Sequence, residues 1–199
     1  MDKKKTALRL FVYASWLLLI YVTIADLFDQ PYRSIIWIGS LIIMLLIHSS
    51  KIPSYLEALF SLVVVLNVFG ETIFGIYYNF ISYDKILHFF VPVVLCILIA
   101  HFVKDKIKDK KLLVMFCICA VITLCVGWEI VEYSFDRNFD SLMQGVHLNP
   151  DSHFFGMYER REVINELDDT LGDLMFDLMG SSCFGIIYLL RNNKLKKNI

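Results

Sequence analysis

Residues 112–133 read LLVMFCICAVITLCVGWEIVEY, and carry no charge before Glu129 and Glu132. A bilayer's hydrocarbon core takes about 20 apolar residues of helix. A helix apolar on every face is either wholly buried in protein or turned toward lipid. Stretches of the same kind recur along the 199-residue chain, which is 57% hydrophobic and 15% aromatic. Besides 112–133 they fall at about 8–25, 34–47, 55–77, 86–103 and 170–190. The expected fold is therefore all-α: a polytopic, six-helix transmembrane bundle forming a single integral membrane domain over 1–199. The longest segment outside the spans is 134–168, an external loop with a turn signal at Asn149-Pro150-Asp151 and a charged run from Tyr158 to Glu162. A short interfacial helix or a cap over the helices is the expectation for it.

Charge sets the expected topology. Lys3, Lys4 and Lys5 precede the first span, and Lys51 lies between the second and third. Lys104, Lys106, Lys108, Lys110 and Lys111 fall between the fourth and fifth, and Lys194, Lys196 and Lys197 follow the sixth. With six spans all four places share one side, and the positive-inside rule makes that side the cytoplasm. Both termini are then cytoplasmic and the protein is a multi-pass component of the cytoplasmic membrane. Residues 1–25 begin like a signal peptide, but no small-x-small cleavage site follows, so a retained first span is expected. A net charge of −1 gives no basic surface for nucleic acid. Cys96, Cys117, Cys119, Cys125 and Cys183 all lie in apolar stretches without a C-x-x-C pair, which suggests helix packing and not a disulfide or zinc framework.

The acids then stand out. A carboxylate in the bilayer costs about 2.5–3.5 kcal/mol on insertion scales and usually marks function. Asp84 and His88, four apart, open the fourth span; Glu129 and Glu132, three apart, close the fifth. Asp169, Asp173 and Asp177 repeat every four residues at the start of the sixth, a stripe about 12 Å long at 1.5 Å per residue. The topology brings all three groups to the external end of their helices, where they can converge, with Glu71 at the rim. Six carboxylates and one imidazole cannot all ionise together without a counter-charge, so either protons or a cation must be present. The positive charges nearest in sequence are Lys85, Arg137 and the Arg160/Arg161 pair. Glu129, Glu132, Asp169, Asp173 and Asp177 are the expected ligands of a divalent metal (Mg, Mn, Zn or Fe), with His88 as ligand or general base oriented by Asp84.

Plainer readings exist for several of these residues. Asp84, Glu132 and Asp169 could be interfacial anchors, and Asp169 could cap the sixth helix. His147 and His153 read as solvent-facing loop residues that could complete a metal site, and Asn67 as an interhelical hydrogen bond. Gly172, Gly180 and Gly185 read as points of close helix approach.

The strings Tyr83-Asp84-Lys85-Ile86-Leu87-His88-Phe89, Gly127-Trp128-Glu129-Ile130-Val131-Glu132 and Asp168-Asp169-Thr170, with Asp173, Asp177 and Gly180, resemble the YjdF-like family of bacterial inner-membrane proteins. They are more distantly similar to VanZ-like proteins, which tend to have Gln where this chain has Glu132. The resemblance covers about the last two thirds of the chain. It implies a cell-envelope role without supplying a mechanism. The expectation from the residues is an enzyme hydrolysing or transferring a phosphoryl group on a lipid or lipid-linked envelope precursor, with membrane lipids as surroundings. The alternatives are a proton- or cation-coupled transporter and a non-catalytic envelope partner or sensor.

Overall fold

A computed structural model describes residues 3–139, 141–148 and 161–197, with side chains described as far as Arg191. Asn149-Pro150-Asp151, His153 and the charged run through Arg160 lie outside the described residues. Among the described residues six helices are long and apolar enough to cross a membrane, and they fall into two compact units.

The first unit holds α1 (Lys3–Asp29), α2 (Pro31–Ser49) and α3 (Ser54–Val68). Gln30 alone separates α1 from α2. Pro31 follows at the first helical position, where its missing N–H costs nothing and its φ already suits a helix. The predicted third span, 55–77, is too long at its end. The α-helix gives way to a π turn at Phe69–Ile73, and Gly75, at φ 54°, turns the chain into a 3-10 turn at Ile76–Tyr78. A positive φ there suits glycine, which has no Cβ to clash.

The wider π turn brings Glu71 and Thr72 into a polar network. Buried Asp26 accepts hydrogen bonds from Trp37 Nε1 (2.7 Å), Arg33 Nη2 (3.1 Å) and Thr72 Oγ1 (3.3 Å). Glu71 accepts from Tyr78 OH (2.6 Å) and Arg33 Nη1 (3.4 Å), so it takes part in this network. Asn67 does not bridge helices either. Its amide donates to Val63 O in its own helix, and Tyr77 OH donates to its carbonyl.

The second unit holds α4 (Tyr83–Val103), α5 (Lys110–Phe139), β1 (Val146–Leu148), β2 (Arg161–Ile164) and α6 (Glu166–Lys197). The loop expected at 134–168 is shorter than its sequence bounds. α5 continues to Phe139, α6 starts at Glu166, and the described residues between them include an antiparallel strand pair. The cap of α6 is Asn165, not Asp169. Asn165 Oδ1 accepts from Asp168 N–H (3.0 Å) and its amide donates back to Asp168 Oδ2 (2.7 Å), a reciprocal cap.

This unit is polar inside at one level and apolar outside. Asp173 and Asp177 are 1% and 2% exposed, whereas Met175 beside them is 65% exposed. That is the reverse of a water-soluble helix and the arrangement lipid requires. Farther along the helices, Cys96, Ala100, Leu113, Val114, Cys117, Val121, Cys125 and Phe184 pack as one apolar cluster, which gives three of the five cysteines a packing role. The glycines of α6 face its neighbours closely. A Cβ on Gly180 would stand 2.1 Å from Phe89 O of α4, and one on Gly185 would stand 2.8 Å from Val114 Cγ1 of α5.

Gly180→Ala therefore forces α4 and α6 apart, at a cost of about 1–3 kcal/mol. We expect it to lower the melting temperature of the detergent-solubilised protein by about 5 °C or more. Gly39→Ala, where a Cβ meets nothing within 4 Å, is the control and should shift it little.

Candidate functional site: an acidic cluster around Lys85 and His88

Asp84, Lys85 and His88 occupy the first two turns of α4, where His88 lies one turn after both acid and lysine, four residues from Asp84 and three from Lys85. The stripe Asp169, Asp173 and Asp177 of α6 runs alongside. Lys85 Nζ bonds Asp169 Oδ1, Asp173 Oδ1 (2.6 Å), Asp84 Oδ2 (3.2 Å) and the Asp169 carbonyl (3.3 Å). One turn on, His88 Nδ1 is 3.2 Å from Asp177 Oδ1, and its Nε2 is 3.6 Å from Asp84 Oδ1 and 3.7 Å from Asp173 Oδ1. The imidazole thus sits among three carboxylates contributed by two helices.

α5 completes the cluster with Glu129 and Glu132, both buried. The charged groups facing Glu129 include His88, Asp177 and Asp84; those facing Glu132 include Glu129, Asp84 and His88. Thr170 lies close to Glu129, yet neither Glu129 oxygen reaches hydrogen-bond geometry with any described group, and Asp177 Oδ2 is likewise unpartnered. Buried carboxylate oxygens without donors are costly, on the order of 1–3 kcal/mol each and more when charged. Asp84, His88 and Asp173 each offer one ligand atom, all within 4.8 Å of one another.

A local lock joins the C-terminal end of α5 to the N-terminal end of α6. Asp136 of α5 accepts from Ser141 Oγ, Met143 N–H (2.7 Å) and Gln144 N–H (2.8 Å). Gln144 Nε2 donates to Thr170 Oγ1 (3.2 Å), and Gly145 N–H donates to Asp169 Oδ2 (2.9 Å). Asp169 therefore joins Lys85 on one oxygen and the chain before β1 on the other.

All the acids singled out in the fourth, fifth and sixth spans are thus brought together, with His88 among them. His147 is not in the cluster: its Nδ1 lies 3.2 Å from Gly145 O. Two participants were not identified as such from sequence. Lys85 was noted only as a nearby charge, although its i, i+3 spacing to His88 is a usable signal. Asp136 gave no signal, because its role depends on how 141–145 folds back.

The chain matches the family described as "Predicted membrane protein (DUF2238)" over residues 5–194 and belongs to it. No curated protein and no solved structure matches it.

Asp136→Ala removes the acceptor of three hydrogen bonds, each worth about 0.5–1.5 kcal/mol. Amide exchange at Met143 and Gln144 is expected to quicken by about tenfold to a hundredfold, with amides in the middle of α5 unchanged in a residue-resolved hydrogen-exchange measurement.

Proposed function

We propose that this chain is a YjdF-like protein of the bacterial cytoplasmic membrane, with both termini cytoplasmic, whose acidic cluster binds a divalent cation and acts on a phosphorylated lipid or lipid-linked envelope precursor. The observation carrying this reading is the trio Asp84, His88 and Asp173, whose ligand atoms lie within 4.8 Å of one another. Two carboxylates and an imidazole suit Mg, Mn, Zn or Fe. The unpartnered oxygens of Glu129 and Asp177 fit a cluster in want of positive charge or protons.

A divalent cation there would supply Lewis acidity toward a phosphoryl oxygen or an acidified water. His88 would hold the cation through Nε2, which lies between Asp84 and Asp173, while Asp177 engages Nδ1 and orients the ring. Asp169 and Asp136 act as positioning residues that hold the chain before β1 over the helix ends. A lipid-linked substrate is favoured because the cluster begins in the first turns of α4 and α6, at the level where a headgroup meets the hydrocarbon region.

Transport through α4, α5 and α6 has less support. Beyond Asp177 comes the apolar cluster that includes Cys117, Val121 and Phe184, and Thr123 is exposed and bonded to its own helix. An envelope partner or sensor would use the segment between α5 and α6 as its surface, and the strand pair is compatible with that role.

The test is twofold. Protein purified in detergent should bind about one Mn²⁺ per chain, and Asp84→Asn, His88→Gln and Asp173→Asn should each weaken binding by about tenfold or more. In mixed micelles containing a polyprenyl diphosphate, the wild type plus Mn²⁺ should release phosphate, and these variants should not. Mn²⁺ binding without any turnover would leave a cation site and remove the enzyme.

A further inference from the structure

Lys85 already occupies two of the three groups that would hold a metal. Its ammonium lies 2.6 Å from Asp173 Oδ1 and 3.2 Å from Asp84 Oδ2. Asp173 Oδ1 is also the oxygen 3.7 Å from His88 Nε2, so the lysine sits on an Asp173 oxygen that lies near the imidazole. A divalent cation and an ammonium cannot share that oxygen without strong repulsion, since two positive charges a few ångströms apart interact strongly in a poorly hydrated interior. Resting on the cation-binding reading above, we infer that Lys85 is a tethered competitor: its ammonium fills the cation position, and a divalent ion enters by displacing it.

The surroundings of Lys85 fit this role. Its stem runs over Gly172 of α6, with Cε 3.3 Å from where a Cβ would stand, so the glycine leaves the slot in which the side chain lies. Lys85 is the third residue of α4, and its side chain retains 14% exposure. Rotation of its four-carbon stem therefore carries the charge toward the helix end and its headgroups, as lysines near span ends commonly do.

A second observation, independent of the lysine's own bonds, shows why a further cation is drawn in. Both oxygens of Glu129 and Oδ2 of Asp177 are buried with no hydrogen-bond partner, and Glu129 faces His88, Asp177 and Asp84. Lys85 bonds Asp84, Asp169 and Asp173 and reaches none of these deeper oxygens, and His88 engages only Oδ1 of Asp177. A divalent ion bound between Asp84, His88 and Asp173 brings two charges where the lysine brought one. Removing the lysine removes its competition but keeps every ligand, so affinity rises.

The experiment is a calorimetric titration of full-length protein in detergent with MnCl₂ alone, using wild type, Lys85→Met, Lys85→Gln and Asp173→Asn. The expected result is tighter Mn²⁺ binding in both Lys85 variants, by about tenfold or more, and loss of that binding when Asp173→Asn is added to Lys85→Met. Gel-filtration profile and helical circular dichroism establish that each variant is folded. If Lys85→Met fails to fold, Lys85→Gln, which keeps polarity and most of the length, decides. Wild-type binding that is unchanged or weakened in the folded Lys85 variants overturns the inference and leaves the cation-binding reading standing. No Mn²⁺ binding in wild type or in any Lys85 variant overturns both.

Discussion

The bridge from Lys85 to Asp84, Asp169 and Asp173 is the interaction on which the second unit's organisation depends. An ammonium and three carboxylates are each expensive to bury alone, and their attraction offsets that cost only when the geometry is close and further hydrogen bonds complete the set. Here the geometry is close: one Nζ reaches side chains on both α4 and α6 and the main-chain carbonyl of Asp169. The bridge holds α6 against α4 in one register. That register sets the level of His88 against Asp177 and of Gly180 against Phe89.

Two kinds of contact hold the α4–α6 pair, and they differ in what they specify. The approach at Gly180 is steric and short-ranged, requiring only that no side chain intervene. The lysine bridge is electrostatic and directional, and in a low-dielectric setting it penalises any arrangement that leaves a partner alone. The first unit uses the same logic on a smaller scale. Asp26 accepts from Trp37, Arg33 and Thr72, so its buried carboxylate is satisfied and its role there is structural. The unpartnered Glu129 and Asp177 oxygens stand in contrast to that satisfied carboxylate. A site can take up a charge where its own polar groups are left incomplete.

Much of this was legible in the residues. The apolar lengths of the spans marked the six helices, because the bilayer's thickness sets a minimum run of hydrophobic residues. The four-residue repeat of Asp169, Asp173 and Asp177 marked a buried stripe, and α6 buries all three. The glycines at 172, 180 and 185 marked close approaches, and each has a neighbour within 3.3 Å of its would-be Cβ. What failed to be legible shares a cause. The bonds of Glu71 to Arg33 and Tyr78 were not legible because the π turn that redirects it leaves no sequence period. Capping of the sixth helix, the plainer alternative for Asp169, falls instead to Asn165 and Asp168. Asp136 and the strand pair depend on a chain reversal that hydrophobicity does not encode.

By itself, then, the sequence determined that the chain makes six membrane-length helices and that acids from three of them must find polar company, because lipid offers none. It did not determine which company. Helical period assigns a face to each residue but says nothing about which faces meet, and a lysine in the first turn of a span has open to it both headgroups and protein. Only the tertiary structure decided that Lys85 turns inward to Asp169 and Asp173 while Glu129 and Asp177 keep unpartnered oxygens. The physical reason is that pairing energy depends on distances between separate helices, which packing sets and local sequence does not.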